Sequence, residues 1–473
     1  MGITGFNAYV PYSRLREEEV ASEWTKAGKG REKAVAYYDE DSATMAVAAA
    51  MQCVSEKEAK ELDDIFFAST TAPYLEKQAS ATIAGAIDAR EDVRLADFSN
   101  SLRACSSALL SALDAAKNGD RVLVAAGDCR LGAADGTNEI TLGDGAAAFT
   151  VGSEKVLAKV IGSFSIGKDI PDIWRANDDL FPREWDVRYA QMLSYEPMVK
   201  AAVSGLCEKT GLSAKNFSKA AIYAHEQRYA AGIAAKLGFE PQQVQDGMYA
   251  KFGNTGCAAA PLTLIAALEE AKPGDKLLFV SYGEGCDAIA FEVTDEIANY
   301  KPSRTTKQYL EIKNNKLTYA KYLKWKSMLS IEPQRRPDQE RASLTDYTRN
   351  YKKNLSMYGT RCKCCGTPQY PPQRICAKCH TWDEMEPWCF ARRKGTLKTF
   401  TQDGLSISKD SPNNLVVAEF EGGGKLMTFM VDVQADELEV GMPVVPTFRS
   451  MFKANGFQTY AWKVMPDCNG GEQ

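Results

Sequence analysis

Gly119-Asp120-Arg121-Val122-Leu123-Val124-Ala125-Ala126-Gly127 is a glycine-aspartate turn, a basic residue, an unbroken apolar run and a closing glycine. The same order returns in Gly274-Asp275-Lys276-Leu277-Leu278-Phe279-Val280-Ser281-Tyr282-Gly283, roughly 155 positions later. Each copy follows an Ala-rich helical stretch, Ser106 to Asn118 in the first and Cys257 to Lys272 in the second. Around both copies, short apolar runs alternate with amphipathic helical stretches from residue 1 to about 298, the pattern of an α/β domain with a mainly buried sheet. A duplication of about 150 residues predicts two similar halves facing each other, with an active site between them.

The chain has 473 residues, 45% hydrophobic and 25% charged, too long for one ordinary core and typical of a globular protein. That composition excludes wholesale disorder, a collagen-like repeat or a small disulfide scaffold. No apolar run reaches the 18 to 20 or so residues needed to cross a bilayer, and the start lacks the basic and apolar regions of a signal peptide, so we expect a cytoplasmic protein without a membrane partner. The net charge of −5 excludes a globally basic nucleic-acid binder. Of thirteen cysteines, six crowd between Cys362 and Cys389, and most others are scattered through apolar stretches. Dense clustering reads as metal, scatter as core.

Residues 299–360 differ from what precedes them. From Lys301 to Arg361 fifteen basic residues face five acidic ones, with Tyr309, Tyr319, Tyr322, Trp325, Tyr347 and Tyr351 interleaved. Pro333 and Pro337 divide the segment into two expected helices. Its basic charge fits a solvated helical surface, a site for the phosphate and adenine of a nucleotide-bearing ligand, or a nucleic-acid surface. Residues 391–473 show alternating β-branched and aromatic runs broken by Gly422-Gly423-Gly424, Gly441 and Asn455-Gly456, which predicts a small barrel of about five strands. The expected divisions are 1–160 and 161–298 for the two halves, 299–360 for a basic helical connector, 361–390 for a cysteine-rich ribbon, and 391–473 for the barrel.

Cys105 lies where a polar strand exit, Ala96 to Ser101, turns into an Ala-rich helix. A thiol there meets the positive end of the helix macrodipole, which favours its thiolate and makes it a candidate nucleophile. A buried structural cysteine is the plain alternative. His225 follows the apolar run Ala220 to Ala224, at the C-terminal end of an expected strand, where open α/β sheets place their ligands. Asn254, in Lys251-Phe252-Gly253-Asn254-Thr255-Gly256-Cys257, reads either as a turn residue or as a third member of the set. Near the N-terminus, Lys29, Arg31 and Lys33 are candidate phosphate ligands and Trp24 a platform for adenine; an exposed charged turn is the alternative.

The segments around Cys105, His225 and Asn254 resemble the Cys-His-Asn set of the β-ketoacyl synthase III branch of the thiolase superfamily, and Leu142-Gly143-Asp144-Gly145-Ala146 resembles its glycine-rich midpoint. Asp172-Ile173-Trp174-Arg175 and Gly205 to Leu212 are more similar to archaeal-type 3-hydroxy-3-methylglutaryl-CoA synthases. The resemblance implies a five-layered αβαβα fold. It also implies a covalent acyl-Cys105, with His225 and Asn254 donating hydrogen bonds to the developing oxyanion. It implies CoA thioesters as substrates and a homodimer through the thiolase-like part, with a larger complex with another thiolase-type subunit left open. The family's acid/base glutamate aligns with Thr70, in Ala68-Ser69-Thr70-Thr71-Ala72-Pro73-Tyr74, and a threonine cannot take up a proton near neutral pH. Glu76, Glu226 and Glu284 are the candidate substitutes. Without the carboxylate, Claisen condensation or its thiolytic reverse is the simpler reading, with the aldol condensation of acetyl-CoA and a 3-ketoacyl-CoA as the alternative.

Cys362-x2-Cys365 and Cys376-x2-Cys379 form two knuckles able to give four thiolates to one structural Zn, with no open position left on the metal. Cys364 and Cys389 fall outside the spacing, and His380 reads as a neighbour of the site. Ribbon and barrel together, with Tyr370-Pro371-Pro372 before the second knuckle, resemble the rubredoxin-like zinc ribbon plus OB-fold family that accompanies thiolase-type enzymes. The same module, taken alone, fits a nucleic-acid binder or a silent scaffold. The intact Cys-His-Asn set favours an enzyme.

Overall fold

The structure, a computed structural model, describes residues 1–332, 343–405 and 408–467. Pro333, Pro337 and Cys468 lie outside the described residues. Two compact units emerge. The first comprises Met1–Ala36, Asp41–Ile83 and Ala89–Leu317; the second takes Tyr37–Glu40, Ala84–Asp88 and the chain from Thr318 onward.

In the first unit the first half contributes β1 (Gly2–Tyr9), the hairpin β2 (Ser13–Arg16) and β3 (Glu32–Val35), β4 (Asp64–Ala68), β5 (Arg94–Phe98), β6 (Val122–Cys129) and β7 (Asp144–Gly152). The second half has β8 (Ala158–Gly167), the short pair β9 (Ile173–Trp174) and β10 (Arg183–Glu184), β11 (Lys219–Ile222), β12 (Lys276–Tyr282) and β13 (Gly285–Val293). The strands order as β1-β7-β6-β4-β5 in one half and β8-β13-β12-β11 in the other. The repeated motif thus becomes β6 and β12, third in each series. Both are buried along almost their whole length, as strands covered on two faces must be. The repeated glycines Gly119 and Gly274 both adopt left-handed φ, 97° and 87°, a conformation open to glycine at no steric cost.

The two sheets are not separate. Gly2 pairs with Lys159 and Ile3 with Ala158, so β1 and β8 hydrogen-bond and one nine-stranded sheet runs through both halves. Helix α1 (Ser42–Cys53) covers β1, β6 and β7 from outside, and α2 (Ala104–Ala115) packs on β4 to β7. Helix α3 (Glu196–Thr210) covers β8, β12 and β13, while α4 (Ala259–Glu270) touches β1 and β7 of one half and β11 and β12 of the other. This is the expected αβαβα layering, with α2 and α4 in the middle. The middle helices are rich in Ala, and α4 is buried on all sides for most of its length. No helix among the described residues is long and apolar enough to cross a membrane.

The second unit carries α5 (Tyr319–Trp325), α6 (Tyr351–Leu355), a three-stranded sheet of β14 (Tyr358–Cys362), β15 (Pro368–Gln369) and β16 (Met385–Cys389), and a five-stranded sheet. The latter is built from β17 (Gly395–Asp403), β18 (Asn413–Phe420), β19 (Lys425–Phe429), β20 (Pro443–Ala454) and β21 (Phe457–Pro466), in the order β19-β18-β17-β20-β21. Val431 N donates to Val464 O at 3.0 Å and Thr428 Oγ1 to Trp462 O at 3.1 Å, so the end strands meet and the sheet closes into a barrel. The basic charges of the connector are partly spent on internal pairs: Lys307 with Glu270 at 2.9 Å in the first unit, and Lys321 with Asp410 at 2.5 Å and Lys352 with Asp88 at 2.9 Å in the second.

Gly143 marks where the halves approach most closely around Asn254. Its N–H donates to Asn254 O at 3.0 Å, Asn254 N donates to Thr141 O at 2.7 Å, and a Cβ added to Gly143 would stand 1.9 Å from Phe252 O. Gly143→Ala should therefore cost about 3 kcal/mol or more of unfolding free energy, because backbone has to move. Gly119→Ala, with open space but positive φ, should cost only about 1–2 kcal/mol. Denaturant titration of the two variants checks the contrast; equal losses would contradict it.

Candidate active site

Cys105 is the second residue of α2, at the helix start as its sequence context predicts, and burial opposes the pull of the helix macrodipole there. The side chain is 2% exposed in the apolar core, and burial pushes the thiol from an ordinary value near 9 up to about 12. The resting group is a neutral thiol. Its neighbour in the core is Cys257, on the turn that leads into α4.

The start of α2 is bound to the second half by a buried polar cluster. Arg103 Nη1 meets Asp287 Oδ1 at 3.0 Å, Ser106 Oγ donates to Asp287 Oδ2 at 2.5 Å, and Ser101 Oγ and Arg103 Nε donate to Gly283 O at 3.0 and 2.9 Å. Asp287 lies on β13, and Gly283 begins the turn between β12 and β13. A buried carboxylate is tolerated there because a guanidinium and a hydroxyl satisfy it.

His225 lies three residues beyond β11 and Asn254 in the loop before α4. Both line one cavity of about 300 Å³, together with Arg130, Glu184 and Glu226. Asn254 is 3% exposed; its Nδ2 donates to Tyr223 Oη at 3.0 Å and its Oδ1 accepts from Gly256 N at 3.1 Å, so its carboxamide is held from both ends. His225 is flanked by the Tyr223 and Tyr282 rings, at 5.9 and 6.4 Å between centroids. Desolvation lowers its pKa despite the opposing pull of Asp172 and Glu184, so the imidazole is neutral at neutral pH. Asp172 accepts from Tyr282 Oη, which also meets Ser194 Oγ.

A second cavity, about 430 Å³, is lined by Thr70, Ser101, Trp174, Arg175 and Glu284; Arg130, Asp172 and Ile173 face both cavities. The structure thus brings His225 and Asn254 together, and sets Glu226 beside them and Glu284 beside Thr70. Cys105 lines neither cavity, and Glu76 lies outside both.

Thr70 does not stand alone. Asp128, fully buried at the end of β6, accepts from Thr70 N at 2.7 Å, Thr70 Oγ1 at 2.8 Å, Ser69 Oγ at 2.9 Å, Thr71 N at 3.0 Å, Thr71 Oγ1 at 2.9 Å and Cys257 N at 2.8 Å. Sequence reading missed Asp128, Arg130, Tyr223 and Tyr282. One signal was available for the first two: charged residues in Gly127-Asp128-Cys129-Arg130, directly after an unbroken apolar strand, mark a strand end that meets something polar.

The four residues proposed for CoA occupy the β2–β3 hairpin region. Arg31 pairs with Glu17 at 2.7 Å. Lys33 is buried, with Nζ on Glu139 O, and Trp24 Nε1 donates to Glu139 Oε2 at 3.3 Å. Lys29 is exposed, with no side-chain partner among the described residues.

In the second unit, Cys362, Cys365, Cys376 and Cys379 place their sulfurs within 4.8 Å of one another. Opposite pairs stand 3.6 and 3.5 Å apart, close to the ~3.8 Å edge of a tetrahedron with Zn–S of about 2.3 Å, so the set fits one zinc. The knuckles repeat each other. Cys362 N donates to Thr367 O and Cys376 N to Thr381 O, both at 3.0 Å, while the residue after each second cysteine, Gly366 or His380, adopts left-handed φ. His380 is therefore a turn residue, and the ligand cluster is made of cysteines only.

Residues 207–293 match the family profile of the 3-oxoacyl-[acyl-carrier-protein] synthase III C-terminal domain, and 388–449 that of the ChsH2 C-terminal OB-fold domain. Hydroxymethylglutaryl-CoA synthase of Methanopyrus kandleri is 34% identical over 346 residues, covering 70% of this chain and 98% of that relative. The enzyme of the same name from Aeropyrum pernix is 33% identical over 70% of this chain and 95% of its own length. Among solved structures, a hydroxymethylglutaryl-CoA synthase complexed with CoA superposes with a TM-score of 0.61 at 20% identity, covering 68% of this chain and 89% of that one. The 3-oxoacyl-[acyl-carrier-protein] synthase III of Aquifex aeolicus gives 0.55 at 23%, covering 62% of this chain and 99% of that one. Such sequence identity along nearly the whole of the archaeal relatives, on the fold described above, means that the chain belongs to the hydroxymethylglutaryl-CoA synthase family of thiolase-superfamily enzymes, extended by a cysteine ribbon and an OB-fold domain.

Proposed function

We propose that this enzyme condenses acetyl-CoA with a 3-ketoacyl-CoA in an aldol-type reaction through a covalent acetyl-Cys105. The name its archaeal relatives share supports this reading over the plain Claisen or thiolytic one. The observation that supports it is the presence of His225 and Asn254 on the wall of one cavity, two neutral groups able to donate hydrogen bonds to a thioester oxyanion. The Cys105 thiol exchanges with acetyl-CoA, its proton leaving on the CoA sulfur. A base then takes a proton from the acetyl methyl, the enolate carbon attacks the ketone of the second substrate, and the new alkoxide receives a proton. Water finally hydrolyses the enzyme thioester and restores the thiol.

The same reading holds Lys29, Arg31, Lys33 and Trp24 near the CoA moiety, with Arg31 close enough to feel Glu226. It takes the four cysteines as a structural zinc site, because four protein ligands leave the ion no position for substrate. It also makes the enzyme a homodimer, since β5 ends the sheet of the first half with an edge that no other strand among the described residues pairs, and a second copy can cover it. Cytoplasmic residence fits twelve described cysteines without a disulfide.

Intact-mass spectrometry after incubation with a panel of acyl-CoAs should show one acetyl adduct on the wild type and none on Cys105→Ala. An adduct on both, or on neither, would end the assignment. A second expectation concerns pH. A histidine whose folded pKa lies below its unfolded value near 6.5 leaves protons to the unfolded chain, so stability is lost as pH falls through that value. Relative to His225→Gln, the wild type should lose up to about 1.4 kcal/mol per pH unit below 6.5, down to the folded pKa. Calorimetric scans of both proteins from pH 7.5 to 5 read this, and a pH-independent difference would contradict it. Cys376→Ser should lose about one zinc per chain by elemental analysis and unfold the second unit at lower temperature, because structural zinc contributes directly to folding. Full stability in a zinc-free preparation would refute the metal assignment.

A further inference from the structure

We infer that Glu284 is the acid/base carboxylate of this enzyme, taking the proton-transfer work that a side chain at Thr70 cannot do. The inference rests on the aldol reading above and names the missing proton acceptor in it. Thr70 is tied by both its N–H and its hydroxyl to Asp128, and it lines the same cavity as Glu284. Five carboxylates line the two cavities: Asp172, Asp179, Glu184, Glu226 and Glu284. Four are engaged. Asp172 accepts from Tyr282, Asp179 pairs with Arg183 at 2.6 Å, Glu184 accepts from Asn138 at 2.8 Å, and Glu226 pairs with Arg228 at 3.1 Å. Glu284 alone has no side-chain hydrogen bond or ion pair among the described residues.

The backbone makes the same point independently. Glu284 has φ of 51°, a left-handed conformation that a non-glycine side chain adopts at a steric cost, although Gly283 and Gly285 on either side would suit the turn better. The turn is also fixed against the nucleophile helix: Gly283 O accepts from Ser101 and Arg103, immediately before Cys105 on the chain. Glu284, itself exposed, is thus carried on the two-residue turn between β12 and β13 into the cavity lined by Asn100, Ser101 and Leu102, just before α2. There it would take a proton from the acetyl methyl as the C–H bond breaks and the enolate forms, and would return a proton to the alkoxide once the carbon–carbon bond has formed, ending as it began.

Deuterium uptake into the methyl group of acetyl-CoA in D2O reads this step without requiring the identity of the second substrate. The full-length zinc-loaded enzyme, Glu284→Gln and Glu284→Gly are compared, with the Cys105 adduct measured in parallel. The glycine variant suits the left-handed turn, so misfolding does not explain its loss. Both variants should form the adduct, yet exchange deuterium about 10²–10⁴-fold more slowly than wild type. Added formate should raise exchange by Glu284→Gly at least about tenfold, an effect a structural role would not produce. Absence of an adduct on the wild type would sink the acyl-enzyme reading itself. An adduct with no exchange in the wild type, exchange by Glu284→Gln within threefold of wild type, or absence of formate rescue would overturn the assignment of Glu284 alone.

Discussion

Asp128, next to last in β6, has no exposure to solvent, and six donors from two parts of the chain converge on its carboxylate. Five come from Ser69, Thr70 and Thr71 in the first half, and the sixth is Cys257 N in the second. A buried carboxylate left unpaired costs several kcal/mol, so this one dictates where its donors must lie. The loop after β4 cannot leave without stranding it, nor can the turn that carries Asn254 and Cys257 toward α4. Gly256 shows how tight the fit is, since a Cβ there would stand 2.2 Å from Asp128 Oδ2. This carboxylate is thus one of the ties that align the two halves around the site, with the β1–β8 pairing and the Asp287 cluster.

That constraint also explains the character of position 70. A glutamate whose carboxylate replaced the Thr70 hydroxyl would face Asp128 as a like charge in a low-dielectric setting, which is unfavourable. Threonine instead gives the acid a donor. The geometry around Asp128 is therefore one in which the side chain at position 70 serves the scaffold as a donor.

How much of this the sequence disclosed depends on whether a feature is local. The helix–Gly-Asp–strand repeat is local, and it placed β6 and β12 in equivalent positions, with Gly119 and Gly274 in the same left-handed conformation. The Cys-x2-Cys knuckles are local too, and their sulfurs do cluster. Long-range pairings were not legible. Nothing in Gly2-Ile3 or Ala158-Lys159 announces that two residue pairs join the sheets. Nor does Tyr37-Tyr38-Asp39-Glu40 reveal its place in the second unit, where Asp39 and Glu40 meet the buried Arg449 at 3.3 and 3.1 Å, and Asp39 meets Lys463 at 2.7 Å. Arg449 there has lost its water and is compensated only because Asp432 also reaches it at 2.5 Å.

Cys105 shows most clearly why local reading fails for a titratable group. Its position near the first turn of α2 was read correctly, and the helix macrodipole there favours a thiolate by about 0.3–2 kcal/mol. Burial works in the opposite direction, and lifting a thiol from near 9 to about 12 corresponds to about 4 kcal/mol against ionisation. The larger effect wins, and it comes from the layers packed around α2, which no stretch of sequence near Cys105 encodes. The chemical consequence is that a bare, highly reactive thiolate is not stored at rest. On the acyl-enzyme reading proposed above, ionisation coincides with the arrival of a thioester whose own sulfur takes the proton.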